Sequence, residues 1–506
     1  MCLPRPHHQS PDDWHQLLIP VLRCARTSQV IYSRQAPTTM HDLLVYGATG
    51  FTGKLISQYL LRSAATRTPP LSVALAGRNL ARLQELSRSL TSEEGLCAPS
   101  ALLVADTQKD PADVIEGIVS SSKVVICAAG PFLEIAEPLV AAAAKCGVDY
   151  VDITGETPFV RRCITRYDSL ARRNQCYIVN MAGFDSCPSD LGTYRTVARV
   201  RELFGQPTRR VECFVTMRGQ LSGGTLASGL GMERDPTLFA QMQDPFLLGG
   251  RVGAPPREED LDVKAAAPFD VGGDADDTAP SAWTAPFMMA ELNTRVVRRS
   301  SALFREFAPP PSSSSSSSAA AAAAASSSSY GDAFGYSERM LVADEAAAMK
   351  LARPSPPVEK REEMVKQGRL PKQGEGPSEA ERAKGWFKFV FKGTAEDGRS
   401  VVTSVSGKDP GYDETSKMVS ECALSLLLDR ESMHAQTIGV SGGCLTPAFA
   451  FGDSIIQRLE RAGIRFRDES AGFSTGSNAA AAAAAAVLGA ASQGGSKRAG
   501  AHRSKL

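Results

Sequence analysis

The sequence predicts an α/β protein whose first part is a doubly wound parallel sheet. Short apolar runs typical of strands alternate with segments of helical spacing over residues 42–180. The strand-like runs are 43–46, 72–76, 101–105, 123–129, 150–153 and 176–180. The helical segments between them include 53–62, 79–90, 111–120 and 134–146. Strands that alternate with helices of this length form βαβ units, and consecutive units build a parallel sheet.

The composition of the 506-residue chain excludes several classes of protein. A formal net charge of +1 provides no basic surface for binding nucleic acid through bulk electrostatics. No charge-free apolar run is long enough to predict a transmembrane helix. The 11 cysteines include no C-x-x-C pair, which favours a reducing compartment over a disulfide framework or a zinc site. Of the six histidines, only His434 lies well inside the predicted fold, on a helix surface, so no imidazole-based metal site or serine triad is expected.

Four stretches predict disorder, spacers or exposed loops. Residues 1–39 form a polar extension that is expected to be disordered. Runs of serine and alanine fill a predicted disordered insertion at 309–329, because such a tract cannot bury a core. The basic, proline-rich stretch 353–384 is predicted to be an exposed loop, and residues 471–506 a flexible tail.

A glycine-rich segment, G-A-T-G-F-T-G (47–53), follows the first predicted strand and opens a helix. The first glycine allows a tight turn, the second lets backbone N–H groups approach a pyrophosphate, and the third allows close contact between helix and sheet. The positive end of the helix then faces the phosphates. This context predicts a Rossmann-type dinucleotide site. The predicted contacts in this loop are Gly47, Thr49, Gly50, Phe51, Thr52 and Gly53.

The next three strand ends predict the rest of the cofactor site. The second strand ends at Arg78 with no acidic residue between positions 71 and 82, which favours the 2′-phosphate of NADP(H) over the ribose hydroxyl of NAD. The alternative is that Arg78 is a solvated residue at a helix start. Asp106 ends the third strand, where its carboxylate either reaches the adenine amino group or caps a helix. Gly130 and Pro131 end the fourth strand, at the crevice where cofactors lie in open α/β sheets.

Motifs that run in order from about residue 42 to 466 resemble those of the saccharopine dehydrogenase-like oxidoreductases, including the bacterial trans-acting enoyl reductases. They include V-Y-G-A-T-G-F-T-G-K (45–54), A-L-A-G-R-N (74–79), A-A-G-P-F (128–132), Y-V-D-I-T-G-E (150–156), G-F-D-S-C-P-S-D-L-G (183–192), S-G-G-T-L-A-S (222–228) and D-P-G-Y (409–412). The resemblance implies a Rossmann domain over 40–190. It also implies a second α/β domain with a mixed sheet over 191–440, for substrate binding or dimerisation, and a segment 441–470 that returns to the first domain.

The resemblance also implies an activity, that of an NADP(H)-dependent oxidoreductase. Its closer branch implies reduction of a C=C or C=O bond in an acyl or lipid-like substrate. Two alternatives stay open: a non-catalytic NADP-binding protein at a lipid-droplet or membrane surface, and a true saccharopine dehydrogenase. Peripheral contact with a membrane or lipid droplet and assembly as a homodimer also stay open.

Carboxylates after two neighbouring strands are candidate proton donors. Glu156 and Asp185 follow the fifth and sixth predicted strands, so we expect both at the carboxyl edge of the sheet, beside the nicotinamide. Asp190, in the same region, either belongs to the same group of carboxylates or caps its helix, and capping is the favoured interpretation. Three further candidates have two interpretations, either a grip on an anionic substrate or a solvated helix face. They are Arg295, Arg298 and Arg299.

The chain ends in Ser504-Lys505-Leu506, the tripeptide that the peroxisomal import receptor recognises at an exposed carboxyl terminus. The flexible tail before it suits such recognition. We therefore expect a peroxisome or a glycosome, with association to a lipid droplet or membrane as the alternative.

Overall fold

The chain folds into two sheets, an eight-stranded one and a seven-stranded one. The computed structural model describes residues 29–31, 39–220, 222–250, 255–269, 282–308 and 330–469. The predicted insertion 309–329, the tail 471–506 with its terminal tripeptide, and most of the extension 1–39 lie outside the described residues. Within the described ranges, no helix is long and apolar enough to cross a membrane.

The first sheet is built from the βαβ units that the apolar runs predict, and all its strands pair in parallel. Its strands are β1 (Gln29–Ile31), β2 (His41–Tyr46), β3 (Val73–Gly77), β4 (Ala101–Val104), β5 (Ser122–Cys127), β6 (Asp149–Asp152), β7 (Tyr177–Val179) and β14 (Gly443–Leu445). Their order is β1-β4-β3-β2-β5-β6-β7-β14. The order reverses between β2 and β5, and ligands of such sheets bind in the crevice at this switch point.

Helices cover both faces of the first sheet. They are α1 (Phe51–Ala65), α2 (Leu80–Arg88), α3 (Ala112–Val119), α4 (Phe132–Ile135), α5 (Glu137–Cys146) and α6 (Thr157–Arg173). The next helix, α7 (Cys187–Phe204), packs against the second sheet. Ile115 of α3 and Leu139 of α5 are buried in one apolar cluster, whereas Leu60 of α1 and Leu83 of α2 are buried in the other. This arrangement confirms the predicted doubly wound parallel sheet.

The second sheet is mixed, as the resemblance implies. Its strands are β8 (Thr208–Arg218), β9 (Ala267–Phe269), β10 (Ala282–Pro286), β11 (Gly335–Val342), β12 (Trp386–Ala395), β13 (Ser400–Gly407) and β15 (Arg465–Asp468), in the order β15-β13-β12-β8-β11-β10-β9. Only β8 and β11 pair in parallel among these described strands. The remaining helices are α8 (Gly223–Arg234), α9 (Pro236–Met242), α10 (Ala290–Glu306), α11 (Glu345–Leu351), α12 (Val358–Lys366), α13 (Glu379–Arg382), α14 (Thr415–Leu428), α15 (His434–Thr437), α16 (Pro447–Phe451) and α17 (Asp453–Arg461).

The structure corrects two predictions about order along the chain. Residues 29–31 lie in the extension that was expected to be disordered, yet they form β1 and cover the edge of β4. The stretch 353–384, expected to be an exposed loop, contains α12 and α13 and contacts the first domain through Gln373.

Two segments also lie in a different domain from the one predicted. Helix α14, assigned to the second domain, packs against β5 and β6 of the first sheet. Its apolar residues Val419 and Leu424 join the core cluster that contains Val45 of β2, and this burial determines its position. The C-terminal segment 441–470 is divided, because β14 joins the first sheet and β15 joins the second.

Candidate active site

The turn after β2 approaches its neighbours so closely that only glycine fits. Gly47 has a φ of +81°, and a Cβ there would lie 2.8 Å from the Cβ of Ala129, in the turn after β5. A Cβ on Gly53 would lie 2.1 Å from the carbonyl oxygen of Gly47. The backbone N–H of Gly50 donates to that same oxygen at 3.0 Å, which fixes the turn. The predicted glycine loop therefore forms a backbone cradle at the switch point of the sheet.

The cradle leads directly into the first turn of α1. Gly50 is the N-cap, and Phe51 and Thr52 are half-buried in the first turn. This turn carries no acidic side chain, so the positive end of the helix dipole is available to an anion. Thr49 extends toward the end of β3, with its Oγ1 3.9 Å from the position of a Cβ on Gly77.

Arg78 and Asp106 follow β3 and β4 at the same edge. Arg78 is exposed, and nothing in the described ranges pairs with its guanidinium, which leaves it available to a 2′-phosphate. The Asp106 carboxylate accepts a hydrogen bond from the backbone N–H of Gln108 at 3.1 Å and lies 3.6 Å from the Lys109 Nζ. It therefore stabilises its own turn rather than a helix, and this geometry does not favour the predicted adenine contact.

Glu156 holds the turn formed by Gly130 and Pro131. Its Oε1 accepts hydrogen bonds from the Phe132 N–H at 2.8 Å and from the Ser228 Oγ at 2.7 Å. Its Oε2 accepts a third from the next backbone N–H, at 2.8 Å. A carboxylate engaged in this way is an anchor for the turn. The geometry thus argues against the predicted catalytic role of Glu156 and supports a structural one.

Asp185, the second predicted catalytic residue, lies at the same edge of the sheet, but its carboxyl is not hydrogen-bonded as that of Glu156 is. Its Oδ2 is 3.3 Å from the position of a Cβ on Gly155, and a methyl group of Leu292 from α10 approaches the same point at 3.8 Å. Within the described part of the chain, no hydrogen bond or ion pair engages this half-buried carboxyl. Burial raises the pKa of Asp185 to about 6. The structure therefore brings one unengaged carboxyl to the edge where the cofactor cradle lies.

The prediction that Asp190 caps its own helix was wrong. It is fully buried and accepts hydrogen bonds from the Ser300 hydroxyl and, at 2.8 Å, from the backbone N–H of Ala448 at the start of α16. Burial raises the pKa of Asp190 to about 7. Its carboxylate therefore joins α7 to α10 and α16, which are distant from it in sequence.

The three arginines of α10 neither form a solvated face nor grip a substrate. Arg295 is 1% exposed, and its Nη1 lies 2.7 Å from both carboxylate oxygens of Asp262. Arg298 donates to the carbonyl oxygen of Pro245 at 3.0 Å, and burial lowers its pKa to about 10. Arg299 donates to a backbone carbonyl of β14 at 3.4 Å. Both interpretations from the sequence were wrong, because these side chains are internal partners of loops that the sequence does not place near them.

His434 is likewise not a surface residue. Its ring packs among aromatic rings, with its centroid 4.9 Å from that of Phe304 and 5.6 Å from that of Phe449. Burial lowers the pKa of His434 to about 4. It is a half-buried residue that is neutral at physiological pH.

Comparison with known proteins decides the family. Residues 43–179 match the family model for the saccharopine dehydrogenase NADP binding domain. The chain is 31% identical over 441 residues to a trans-acting enoyl reductase of Mycobacterium leprae, with 84% of this chain and 96% of that protein covered. It is 32% identical over 445 residues to a trans-acting enoyl reductase of Mycobacterium tuberculosis strain H37Rv, with the same coverage of 84% and 96%. This chain belongs to the saccharopine dehydrogenase-like oxidoreductase family.

A solved structure of apo saccharopine dehydrogenase (L-Glu forming) from Saccharomyces cerevisiae covers 84% of this chain and 99% of its own, at 14% identity and a TM-score of 0.40.

This saccharopine dehydrogenase-like protein is an NADP-dependent oxidoreductase, as predicted. The matched NADP-binding domain spans β2 to β7 and includes the whole cradle. The residues present fit the cofactor. Gly47 and Gly53 have no space for a Cβ, which keeps the turn tight, and Gly50 begins α1 with backbone that a pyrophosphate can approach. The assignment of Arg78 to the 2′-phosphate stays a prediction that a binding measurement can test.

Sequence reasoning missed three residues that segments beyond the first domain of this oxidoreductase bring to the site. They are Ser228, which donates to Glu156, Gln373, which donates to the carbonyl oxygen of Gly130, and Tyr412, whose ring packs on Phe51 with centroids 4.7 Å apart. Ser228 and Tyr412 lie in motifs that carry the family resemblance, which was the available signal. Gln373 lies in a stretch with no motif.

Proposed function

We propose that this oxidoreductase reduces the C=C bond of an α,β-unsaturated acyl group on a lipid-like substrate, with Asp185 as the proton donor. The observation that carries the proposal is the unengaged, half-buried Asp185 carboxyl at the cofactor edge of the first sheet, with a pKa raised by burial to about 6. General acids of this kind operate best when their pKa lies near the working pH. The names of the mycobacterial relatives, trans-acting enoyl reductases, support the same reaction.

The apolar surroundings of Asp185 support an acyl substrate. Leu292, which lies beside the Asp185 carboxyl, packs against an apolar cluster formed by Val160, Met181, Leu247, Leu248 and Val296. Leu247 also lines an open surface depression of about 640 Å³ next to α9. The apolar cluster behind Leu292 offers a hydrocarbon chain a surface to pack on.

In the proposed reaction, different residues bind the cofactor and donate the proton. When bound, NADPH would supply the hydride that the carbon β to the acyl carbonyl needs. The cradle and Arg78 would orient the dinucleotide, and Glu156 fixes the Gly130–Pro131 turn beside the cradle. Asp185 gives its proton to the α-carbon, so that the product is the saturated acyl group and NADP⁺. Because its side chain is half-buried, solvent can return the proton to Asp185.

The test is the loss of NADPH absorbance with matched acyl thioesters. A trans-2-enoyl thioester should be reduced, and kcat/KM should rise with chain length because each added methylene buries more apolar surface, at about 0.8 kcal/mol per methylene. A 3-ketoacyl thioester of the same length is the control for C=O reduction. Turnover of the ketone alone would replace C=C reduction by C=O reduction. Turnover of glutamate with aminoadipate semialdehyde alone would overturn the acyl proposal in favour of saccharopine chemistry.

We also propose that the Ser504-Lys505-Leu506 tripeptide directs the protein to peroxisome-type organelles through their import receptor. The basis is the tripeptide itself, which follows a stretch rich in alanine, glycine and serine. A fluorescent protein fused in front of the native tail should become punctate and co-localise with a peroxisomal marker. Deleting the last three residues should make it diffuse, and persistence of the puncta after this deletion would contradict the proposal.

A further inference from the structure

A segment from the second half of the chain crosses the cofactor crevice. Residues Lys372–Arg382, named the strap here, include α13 and lie between α12 and β12 in the chain. At one end of the crevice, the Gln373 side-chain amide donates to the carbonyl oxygen of Gly130 at 2.8 Å. This contact is with the turn after β5, where the nicotinamide half of a dinucleotide lies in open α/β sheets.

A second contact of the strap is with the end of the glycine-rich loop. The backbone of Gly376 lies so close to Phe51, the first residue of α1, that a Cβ on Gly376 would be 2.7 Å from the Phe51 ring. The Arg382 guanidinium lies over the same ring, 5.7 Å from its centroid, and forms an ion pair with Asp413 at 2.8 Å. The strap therefore touches the end of the crevice that faces the pyrophosphate.

The base of the strap packs on α8. A Cβ on Gly223 would lie 1.9 Å from the carbonyl oxygen of Lys372, so the two backbones are in direct contact. The same helix carries Ser228, which donates to Glu156. The strap is thus held at its base, while Gln373 itself is exposed and retains one amide hydrogen bond to the first domain.

We propose that the strap is a positioning element that closes over NADP(H), with Gln373 as its latch. A dinucleotide bound to the cradle would run from the start of α1 to the turn after β5, and the strap contacts both of these places. Most residues of the strap are exposed, and segments with few buried apolar contacts open at low free-energy cost. Breaking the latch therefore accelerates both entry and release of the nucleotide. The inference rests on NADP(H) binding alone and not on the proposed acyl substrate.

The test is stopped-flow fluorescence of NADPH with the full chain and two variants that act at opposite ends of the strap. Gln373→Ala removes the latch, and Gly376→Ala pushes the strap away from Phe51 without removing any polar group. We expect the association and dissociation rate constants to rise by about threefold to tenfold in Gln373→Ala, the range that one lost hydrogen bond produces, and to rise in Gly376→Ala as well. The matched control is Gln367→Ala, because the Gln367 amide donates at 2.8 Å to Glu363 within its own helical segment, and both rates should stay unchanged.

Thermal melting without nucleotide distinguishes two roles of the strap, closing over the nucleotide and supporting the fold. If the strap only supports the fold, the variants will melt earlier and bind NADPH with the rates of the wild type, and the proposal is overturned. Unchanged rates in either folded variant overturn it equally, as does a wild-type protein that fails to bind NADPH. Faster exchange with an unchanged melting temperature supports it.

Discussion

Replacing Asp185 by asparagine should stabilise the protein at neutral pH while it abolishes the reaction. Burial raises the pKa of Asp185 from 3.8 to about 6, so the folded state favours the protonated carboxyl. Below about pH 3.8 the group is protonated in both folded and unfolded protein and carries no cost. As the pH rises through the window from 3.8 to about 6, the unfolded state ionises first, and stability is lost.

The size of this effect follows from the shift. A difference of about two pKa units corresponds to about 3 kcal/mol, and partial exposure of the carboxyl reduces this to about 1–3 kcal/mol. Urea unfolding at pH 8 should therefore show Asp185→Asn to be more stable than the wild type by about 1–3 kcal/mol. The difference should close toward pH 4. Asp332→Asn, at an exposed carboxylate, is the control and should change stability by less than about 0.5 kcal/mol.

Activity gives the second half of this prediction. Asparagine cannot give a proton, so kcat for the enoyl substrate should fall by about two to four orders of magnitude while the Kd for NADPH is unchanged. In the wild type, kcat/KM should fall as the pH rises above about 6, because the acid is then ionised. A variant that retains full activity would refute the assignment of the proton donor. If the variant is less stable than the wild type at pH 8, the conclusion that burial without a partner raises the pKa of Asp185 is refuted.

Three further substitutions test the site and its support. Arg78→Ala should weaken NADPH binding by about tenfold to a hundredfold and leave NADH binding unchanged in calorimetry, whereas Arg88→Ala at the other end of α2 should affect neither. Gly53→Ala should destabilise the fold by about 1–3 kcal/mol or more in urea because its Cβ meets a backbone oxygen at 2.1 Å, whereas Gly229→Ala, with nothing within 4 Å, should be neutral or stabilising. Arg295→Ala should cost about 3–5 kcal/mol by leaving the Asp262 carboxylate unpaired, and an unchanged melting temperature with a raised KM would restore the substrate-binding interpretation.

The parts of the fold that the sequence predicts are those that depend on local patterns. Residues 43–46 are buried on both faces of the parallel sheet, and for this reason they form a continuous apolar run in the sequence. The strand predicted from that run lies within β2. The glycine loop was equally predictable, since positions 47 and 53 each need a residue without a Cβ. Both features are set by residues close together in the chain.

The errors share a physical cause, which is contact between residues far apart in the chain. The partner of Arg295 is Asp262, and Asp190 accepts a hydrogen bond from the backbone N–H of Ala448, 258 positions away. No periodicity or spacing near a charged residue indicates whether such a partner will cover it. A charged side chain is therefore predicted from the sequence to face solvent or bind substrate. In this fold, its partner is another residue of the same chain.

The measurement that tests the central claim most directly is deuterium transfer from NADPH labelled at the nicotinamide C4. The full-length protein is incubated with each labelled epimer and a trans-2-enoyl thioester, and the product is analysed by mass spectrometry and NMR. The account predicts that one epimer transfers its deuterium to the carbon β to the carbonyl, and that solvent supplies the hydrogen at the α-carbon. Deuterium on a carbinol carbon, or no transfer from either epimer, would contradict it.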